Sequence, residues 1–229
     1  MLVIAHRGAS ASFPENTVAA FAGAVAMGAD GVELDVRRTA DGAMAVSHDD
    51  TLADGRVVVE LRRSDLPGEV PVLAEALDAC RSLPIVNIEI KNWPDDKDFD
   101  PGEALAEAVV GLLEAREERH DGRNLISSFH LPTIDRVREL APELSTAWLL
   151  GFADDLGPLA DRAAAHGHAA VHPHHALVTE ELVRHAHDLG LAVNTWTCDD
   201  PERIRWLAGI GVDGVVTNMP DVALTALGR

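Results

Sequence analysis

Cysteine is scarce in this sequence of 229 residues. There are only two, Cys80 and Cys198, and no spacing typical of a metal site links them. Their segments are predicted to be the end of a helix and the end of a strand, so we expect two reduced, packed thiols. The sequence therefore does not predict a disulfide-stabilised fold.

Positive charge is scarce relative to negative charge. The chain carries 19 Lys and Arg against 38 Asp and Glu, which gives a formal net charge of -19 at pH 7. Such a surface keeps a protein soluble and repels nucleic acid and anionic membranes at long range, so we expect neither as a partner. An anionic small molecule can still bind where the site is locally positive, which requires a metal ion or buried Arg and Lys.

Long hydrophobic runs are also missing. No stretch of the sequence approaches the roughly 20 apolar residues of a membrane span. The apolar run at residues 2–5 is too short for a signal-peptide core and has no basic segment before it. We therefore expect no stable membrane insertion and a cytoplasmic location.

What the sequence does contain is a regular alternation of short β-branched runs and Ala-rich helical segments. Strands are predicted at residues 2–5, 31–36, 85–90, 124–128, 145–150, 169–172, 191–195 and 214–217, with a further short strand at 44–47. Helices are predicted at residues 17–27, 73–80, 103–119, 132–140, 156–166, 179–189, 201–207 and 220–227. Asn16 or Thr17 is the expected cap of the first helix.

Repeated strand–helix units imply parallel strands, because each crossover needs a helix and is right-handed. Eight such strands favour an α/β fold closed into a (β/α)8 TIM barrel, with an open doubly wound sheet as the alternative. No Gly-rich nucleotide-binding loop follows a strand, which weakens that alternative. We predict one domain over residues 1–229, with residues 52–71 as a short insertion after the second strand.

Carboxylates lie at the carboxyl ends of predicted strands, where barrels form their active sites. Glu33 and Asp35 are two apart in one strand and so face the same side. Glu89 ends the next main strand and can add a third carboxylate. Buried carboxylates repel each other unless a cation lies between them, and an all-oxygen site suits Mg²⁺ or Ca²⁺ better than zinc. The alternative is a set of surface carboxylates, or of ion pairs with Lys and Arg in the barrel.

Histidines and cations flank the same strand ends. His6 and His48 are the candidate acid–base pair, because imidazole exchanges protons near neutral pH. Arg7 can hold a phosphate oxygen through two hydrogen bonds, and Lys91 adds a point charge. Trp196 follows a strand and is either barrel-rim packing or a wall for the organic group of a substrate.

The remaining histidines are less informative. Five of them fall across the sixth main strand and its loops, namely His166, His168, His172, His174 and His175. Exposed loop and helix positions are the expected explanation, and a second metal site is the alternative. His185 and His187 lie two apart in a helix and do not share a face.

Taken together, these residues resemble the glycerophosphodiester phosphodiesterase family. The matching segments are His6-Arg7-Gly8, Pro14-Glu15-Asn16-Thr17, Glu33-Leu34-Asp35-Val36, His48-Asp49, Glu89-Ile90-Lys91, Ser127-Ser128-Phe129, Asn194-Thr195-Trp196-Thr197, Asp213-Gly214 and Thr217-Asn218-Met219-Pro220. The resemblance covers nearly the whole chain in order, and its first half is the more specific.

The resemblance implies a (β/α)8 barrel that hydrolyses glycerophosphodiesters to glycerol 3-phosphate and an alcohol. The implied roles are metal binding for Glu33, Asp35 and Glu89, acid–base catalysis for His6 and His48, and phosphate binding for Arg7 and Lys91. The family places Glu15 near the site, whereas residues 14–17 are interpreted here mainly as a loop and helix cap. His130 and Asn218 stand where the family commonly has acidic residues.

Three other functions are considered. The first is a related barrel phosphodiesterase, a lysophospholipase D or a phosphoinositide-specific phospholipase C, although no long apolar loop is evident. The second is a non-catalytic barrel that binds phosphate compounds, and the third is a sugar-phosphate isomerase on the same fold. The full set of acid–base, metal and phosphate residues favours metal-assisted hydrolysis over both of the latter.

Overall fold

A ring of parallel strands organises the computed structural model, which describes residues 1–118, 122–151, 153 and 155–229. The strands are β1 (Leu2–His6), β2 (Gly31–Arg38), β3 (Met44–Val46), β4 (Ile85–Ile90), β5 (Asn124–Ser128), β6 (Ser145–Leu150), β7 (Ala170–Pro173), β8 (Ala192–Thr195) and β9 (Gly214–Thr217). The helices are α1 (Val18–Met27), α2 (Leu73–Ala79), α3 (Ala104–Ala115), α4 (Leu131–Leu140), α5 (Gly157–Ala165), α6 (Glu180–Asp188), α7 (Pro201–Gly209) and α8 (Pro220–Ala226).

The sheet closes on itself. Its strands follow the order β1-β9-β8-β7-β6-β5-β4-β2, and β1 also pairs with β2. All these pairings are parallel, whereas β3 pairs antiparallel with β2 outside the ring. The predicted (β/α)8 barrel with one additional hairpin strand is confirmed, and the open doubly wound alternative is excluded.

The strands and the helices around them share a buried apolar layer. In β2, the apolar residues Val32, Leu34 and Val36 alternate with charged residues and belong to the same buried cluster as Phe21 of α1. A second cluster covers the half of the barrel around β7, β8 and β9. Since successive side chains of a strand point to opposite faces, the charged residues of β2 face the barrel interior.

The start of α1 confirms one of its two predicted caps, whereas the end of α3 differs from the prediction. Thr17 caps α1, because its hydroxyl accepts a hydrogen bond from the Ala20 amide at 3.2 Å. Asn16, the other predicted cap, is buried and takes a different role in the site. Helix α3 ends at Ala115, earlier than predicted, and Arg119, the last residue of the predicted helix, lies outside the described residues.

Residues 39–72 form the insertion after β2. They contain β3 and two 3-10 turns, Val58–Glu60 and Arg63–Asp65, above a small apolar cluster. Cys80 and Cys198 are free and buried, as predicted. Within the described part of the chain, no helix is long and apolar enough to cross a membrane. The cytoplasmic location and the single domain over residues 1–229 stay predictions.

The turn that follows β1 depends on Gly8. Its φ is +81°, and a Cβ there would lie 2.5 Å from the backbone carbon of Ala20 in α1. We expect Gly8→Ala to lower the free energy of unfolding by about 3 kcal/mol or more, from backbone strain plus overpacking. Denaturant unfolding measures this change.

Gly28 provides the matched control, because it has the same φ of +81° and would place a Cβ in open space. Gly28→Ala should cost only the left-handed backbone penalty, about 1–2 kcal/mol. Equal losses in the two variants would contradict the claim that close packing of the β1 turn against α1 matters.

Candidate active site

Three buried carboxylates meet at the carboxyl ends of β2 and β4. In the parallel register of these strands Asp35 pairs with Glu89, and Glu33 lies two residues earlier on the same face of β2. One oxygen from each side chain lies within 4.8 Å of the other two. The three residues that the sequence nominated as metal ligands are therefore neighbours, at most 7% exposed.

Two cationic side chains contact this cluster. The Lys91 Nζ lies 2.5 Å from Glu89 Oε1 and 3.0 Å from Asp35 Oδ1. The Arg7 Nε lies 3.3 Å from Asp35 Oδ2, and its Nη1 donates to Glu15 Oε1 at 2.8 Å. The three carboxylates thus form one buried cluster, and the ion pairs with Lys and Arg that the sequence offered as the alternative are also present.

The two cations do not fully neutralise the three carboxylates of the cluster. Burial and the repulsion of Asp35 and Glu89 raise the pKa of Glu33 well above its usual value. Burial also opposes the ionisation of Asp35, but Lys91 and Arg7 outweigh it and hold the pKa of Asp35 low. Fully ionised, the three carboxylates exceed the two cations by one negative charge. A divalent cation would reverse that sign and make the site attractive to a phosphodiester.

The donor set fits such a cation. Glu33 Oε1 is buried and accepts no hydrogen bond from any residue that the structure describes. Its other oxygen accepts from the backbone amide of Arg7 at 3.0 Å, an arrangement in which Arg7 adopts a φ of +54°. Clustered carboxylate oxygens are the ligands that Mg²⁺ and Ca²⁺ prefer.

His6 is held in one tautomer by a chain of hydrogen bonds. The Asn218 amide nitrogen donates to Asp199 Oδ2 at 2.7 Å, so its Oδ1 must be the atom that faces His6. That oxygen lies 2.7 Å from His6 Nδ1, which therefore carries the hydrogen. The free ring nitrogen, Nε2, lies 4.0 Å from Glu33 Oε2. Burial and Arg7 lower the pKa of His6, so Nε2 is a free base at neutral pH.

His48 lies on the other side of the cluster, on the loop after β3. Its Nδ1 is 2.7 Å from Asp49 Oδ1, which favours a hydrogen on that nitrogen. Arg37 fixes the loop, since its Nε donates to the His48 carbonyl at 2.8 Å and its Nη1 donates to Asp98 at 2.6 Å. His48 is half-exposed, in contrast to His6.

A cavity of about 100 Å³ joins these groups, lined by both histidines, Arg7, Glu33, Glu89 and Lys91 among others. It shares His48 and Phe129 with a wider cleft of about 430 Å³ that also includes Trp93. Trp196 lines the cavity, and its indole nitrogen donates to the His172 carbonyl at 2.6 Å, while its predicted contact with the organic group of a substrate stays a prediction. All eight residues nominated from the sequence lie in or beside this cavity.

The expectation that the other histidines are exposed is wrong for two of them. His168 and His172 are buried, and burial lowers the pKa of His172 to about 3. His172 lies in β7, and the strand predicted at residues 169–172 already included it. Its side chain lines the cavity inside the barrel. His174 and His175 are half-buried beside Trp196.

Sequence reasoning missed the residues that orient the site. Asn16 donates through Nδ2 to Asp35 Oδ2 at 2.8 Å and accepts from the Asp35 amide at 3.3 Å, which explains its burial and its φ of +57°. Asn218 and Arg37 orient His6 and His48. The alternation of charge along β2, Glu33-Leu34-Asp35-Val36-Arg37, could have indicated Arg37, whereas nothing local distinguishes Asn16 from a helix cap.

Comparisons with known proteins show which family the chain belongs to. The sequence pattern of the Glycerophosphoryl diester phosphodiesterase family matches residues 6–222. A glycerophosphodiester phosphodiesterase from Caldanaerobacter subterraneus subsp. tengcongensis is 33% identical over 244 aligned residues, which cover 97% of this chain and 96% of that protein.

Solved structures show the same barrel. A glycerophosphodiester phosphodiesterase from Thermotoga maritima superposes with a TM-score of 0.83 at 28% identity, covering 100% of this chain and 98% of that one. An Oleispira antarctica phosphodiesterase in complex with its product sn-glycerol-3-phosphate superposes with a TM-score of 0.88 at 25% identity, covering 100% and 97%. Profile, relatives and fold agree over almost the full length, and the chain belongs to the glycerophosphoryl diester phosphodiesterase family.

Proposed function

We propose that this protein hydrolyses glycerophosphodiesters to glycerol 3-phosphate and an alcohol, with a divalent cation and two histidines. The observation that carries the proposal is the buried cluster of Glu33, Asp35 and Glu89, with His6 and His48 lining the same cavity. The names of the relatives, and the product bound in the Oleispira antarctica enzyme, support glycerol 3-phosphate as the product.

Glu33, Asp35 and Glu89 would hold the cation, Mg²⁺ or Ca²⁺. When bound, it would supply Lewis-acid polarisation of a phosphoryl oxygen and help to position the substrate. Arg7 and Lys91 lie at the edge of the cluster and would neutralise charge on the remaining phosphoryl oxygens. Their present ion pairs with the carboxylates keep both side chains in place.

His6 and His48 take opposite roles in this proposal. His6 presents an unprotonated Nε2 towards the cluster, because Asn218 accepts the hydrogen on Nδ1, so His6 is assigned as the base. His48, paired with Asp49 and open to the wider cleft, is assigned as the acid that protonates the leaving alcohol. The nucleophile is either water or a hydroxyl of the substrate that first closes a cyclic phosphate.

The organic group that leaves would occupy the wider cleft. Phe129 stands between the cavity and this cleft and makes edge-to-face contacts with Trp93 and Trp196, at centroid distances of 6.4 and 5.4 Å. These rings form a compact aromatic wall, which suits a small alcohol such as choline or ethanolamine. The alternative of lysophospholipid or phosphoinositide substrates predicts higher turnover when an acyl chain is present.

An activity panel tests the proposal. Glycerophosphocholine, glycerophosphoethanolamine and a lysophospholipid are each incubated with the protein in Mg²⁺, in Ca²⁺ and in chelator. We expect glycerol 3-phosphate from the first two substrates with metal and none in chelator, and phosphorus NMR will reveal any cyclic phosphate. Faster turnover of the lysophospholipid would favour the alternative, and no release from any phosphodiester would refute the proposal.

Asn218 gives a more specific prediction. Asn218→Ala removes the acceptor of the His6 Nδ1 hydrogen, and a lost hydrogen bond of about 1–1.5 kcal/mol corresponds to roughly a five- to tenfold fall in kcat. KM should change little, because Asn218 does not line the cavity. Steady-state kinetics with glycerophosphocholine measure both constants.

Ser10→Ala is the control for Asn218→Ala. The Ser10 hydroxyl donates to the same Asn218 oxygen at 2.9 Å but does not reach His6, so its loss should leave kcat nearly unchanged. A similar fall in kcat for both variants, or none for Asn218→Ala, would contradict a positioning role.

A further inference from the structure

A second group of metal-binding side chains lies outside the active site. Asp135 of α4 faces His166 and His168, which flank the turn between α5 and β7. One ligand atom from each of the three residues lies within 4.8 Å of the other two. We propose that Asp135, His166 and His168 form a Zn²⁺ site that is separate from the catalytic centre.

Two of the three distances between ligand atoms already approach those of a tetrahedral zinc site. The His166 Nδ1 lies 2.9 Å from Asp135 Oδ1, and the His168 Nε2 lies 3.2 Å from the same oxygen. Zinc bonds of 2.0–2.1 Å to nitrogen and oxygen place neighbouring ligand atoms about 3.3 Å apart. Small side-chain movements are therefore enough to admit the ion.

His168 supplies the observation that distinguishes this cluster from a surface ion pair. Its side chain is fully buried, and its Nδ1 lies 2.8 Å from the Thr146 hydroxyl, so Nε2 is the nitrogen that turns towards Asp135. That nitrogen makes no hydrogen bond of acceptable geometry within the described part of the structure. A buried polar atom normally has a partner, and a cation between Nε2 and the carboxylate would provide one.

The ligand chemistry favours zinc over the harder cations. Two imidazoles and one carboxylate, with a fourth position open to water, form a recurrent zinc set, whereas Mg²⁺ and Ca²⁺ prefer oxygen alone. Thr146 would act as the outer partner that orients a ligating histidine. His166 is exposed, so its Nδ1 hydrogen can move to Nε2 through water when the metal binds.

The surrounding charge permits a cation. The positive charge of the Arg138 guanidinium acts on His168 and opposes the binding of a cation there. Asp135 and the net charge of -19 favour it. Bound zinc would connect α4 to the segment that enters β7, at the amino end of that strand. This is the opposite end of the barrel from the catalytic cavity, so zinc should stabilise the fold without being needed for turnover.

Thermal unfolding of the full chain tests the proposal, first in chelator and then with added ZnCl₂. We expect zinc to raise the Tm of the wild-type protein and to leave the Tm of His166→Ala unchanged. Zinc bound only at Glu33, Asp35 and Glu89 would raise both equally and would overturn the proposal, as would no rise in the wild type. Hydrolysis of glycerophosphocholine in saturating Mg²⁺ should be the same in both proteins.

His185→Ala is the matched control, because His185 also pairs with an aspartate, Asp161, at 2.9 Å, with no third ligand of the described chain in reach. It should retain the zinc-dependent rise. Co²⁺ provides a second readout, since four-coordinate Co²⁺ absorbs far more strongly in the visible than a six-coordinate oxygen site. That band should appear in the wild type, and its apparent affinity should fall at least about tenfold in Asp135→Asn. An unchanged band in Asp135→Asn would overturn the assignment.

Discussion

Replacing Glu33 with Gln should remove metal-dependent hydrolysis while leaving the metal-free protein at least as stable. Glu33 is the carboxylate whose pKa is raised most clearly by burial and by its two acidic neighbours, so its charge opposes folding when no cation is bound. A neutral side chain of the same shape relieves that repulsion and can still accept from the Arg7 amide. Activity and stability should therefore move in opposite directions, as expected at a functional site.

The expected loss of activity is large. A bound metal contributes several kcal/mol of charge stabilisation, and about 4 kcal/mol corresponds to a fall in kcat/KM of about 10³-fold. The measurements are turnover of glycerophosphocholine across a Mg²⁺ or Ca²⁺ titration and Tm in chelator. A variant that keeps the wild-type metal dependence would refute the assignment of Glu33 as a ligand.

Glu15→Gln is the control for Glu33→Gln. Glu15 is exposed and pairs with Arg7 at 2.8 Å, but it does not belong to the buried cluster. An exposed ion pair is worth at most about 1 kcal/mol, so turnover should fall by no more than about fivefold. Equal losses in the two variants would mean that the position of Arg7, and not a metal, explains the effect of Glu33→Gln.

The barrel itself could be predicted because its signals are local and repeated. Each strand is a short β-branched run, and each helix is an Ala-rich segment between two such runs. Parallel pairing of the strands then follows from the helical crossovers. The location of the candidate metal ligands could be predicted for a related reason. Glu33, Asp35 and Glu89 are charged residues inside strands that are otherwise apolar, and a charge in such a place needs a function or a partner.

The orienting residues could not be predicted, because their role depends on contacts between segments far apart in sequence. A hydrogen bond connects His6 with Asn218, which lies 212 residues later in the sequence, because β1 pairs with β9. Asn16 looks like a helix cap in sequence, and only the fold brings it against Asp35. His168 presents the same difficulty, since its burial depends on where α4 and α5 pack.

His6→Ala and His48→Ala should each reduce kcat by about 10²-fold or more with glycerophosphocholine, because each removes a proton-transfer group. The activities of the two variants should differ when the leaving alcohol is replaced by one that needs no proton. A glycerophosphodiester of p-nitrophenol releases an anion that needs no proton, so loss of the acid matters much less than loss of the base.

We therefore expect the p-nitrophenyl ester to restore much of the activity of His48→Ala and little of that of His6→Ala. Rescue of His6→Ala alone would mean that His6 is the acid and His48 the base. Near-normal turnover of glycerophosphocholine in both variants would refute the two-histidine mechanism. The expected direction follows from one hydrogen bond. Asp199 fixes the Asn218 amide, and the amide oxygen holds the hydrogen of His6 on Nδ1. Nε2 is thus left free to take a proton and cannot give one.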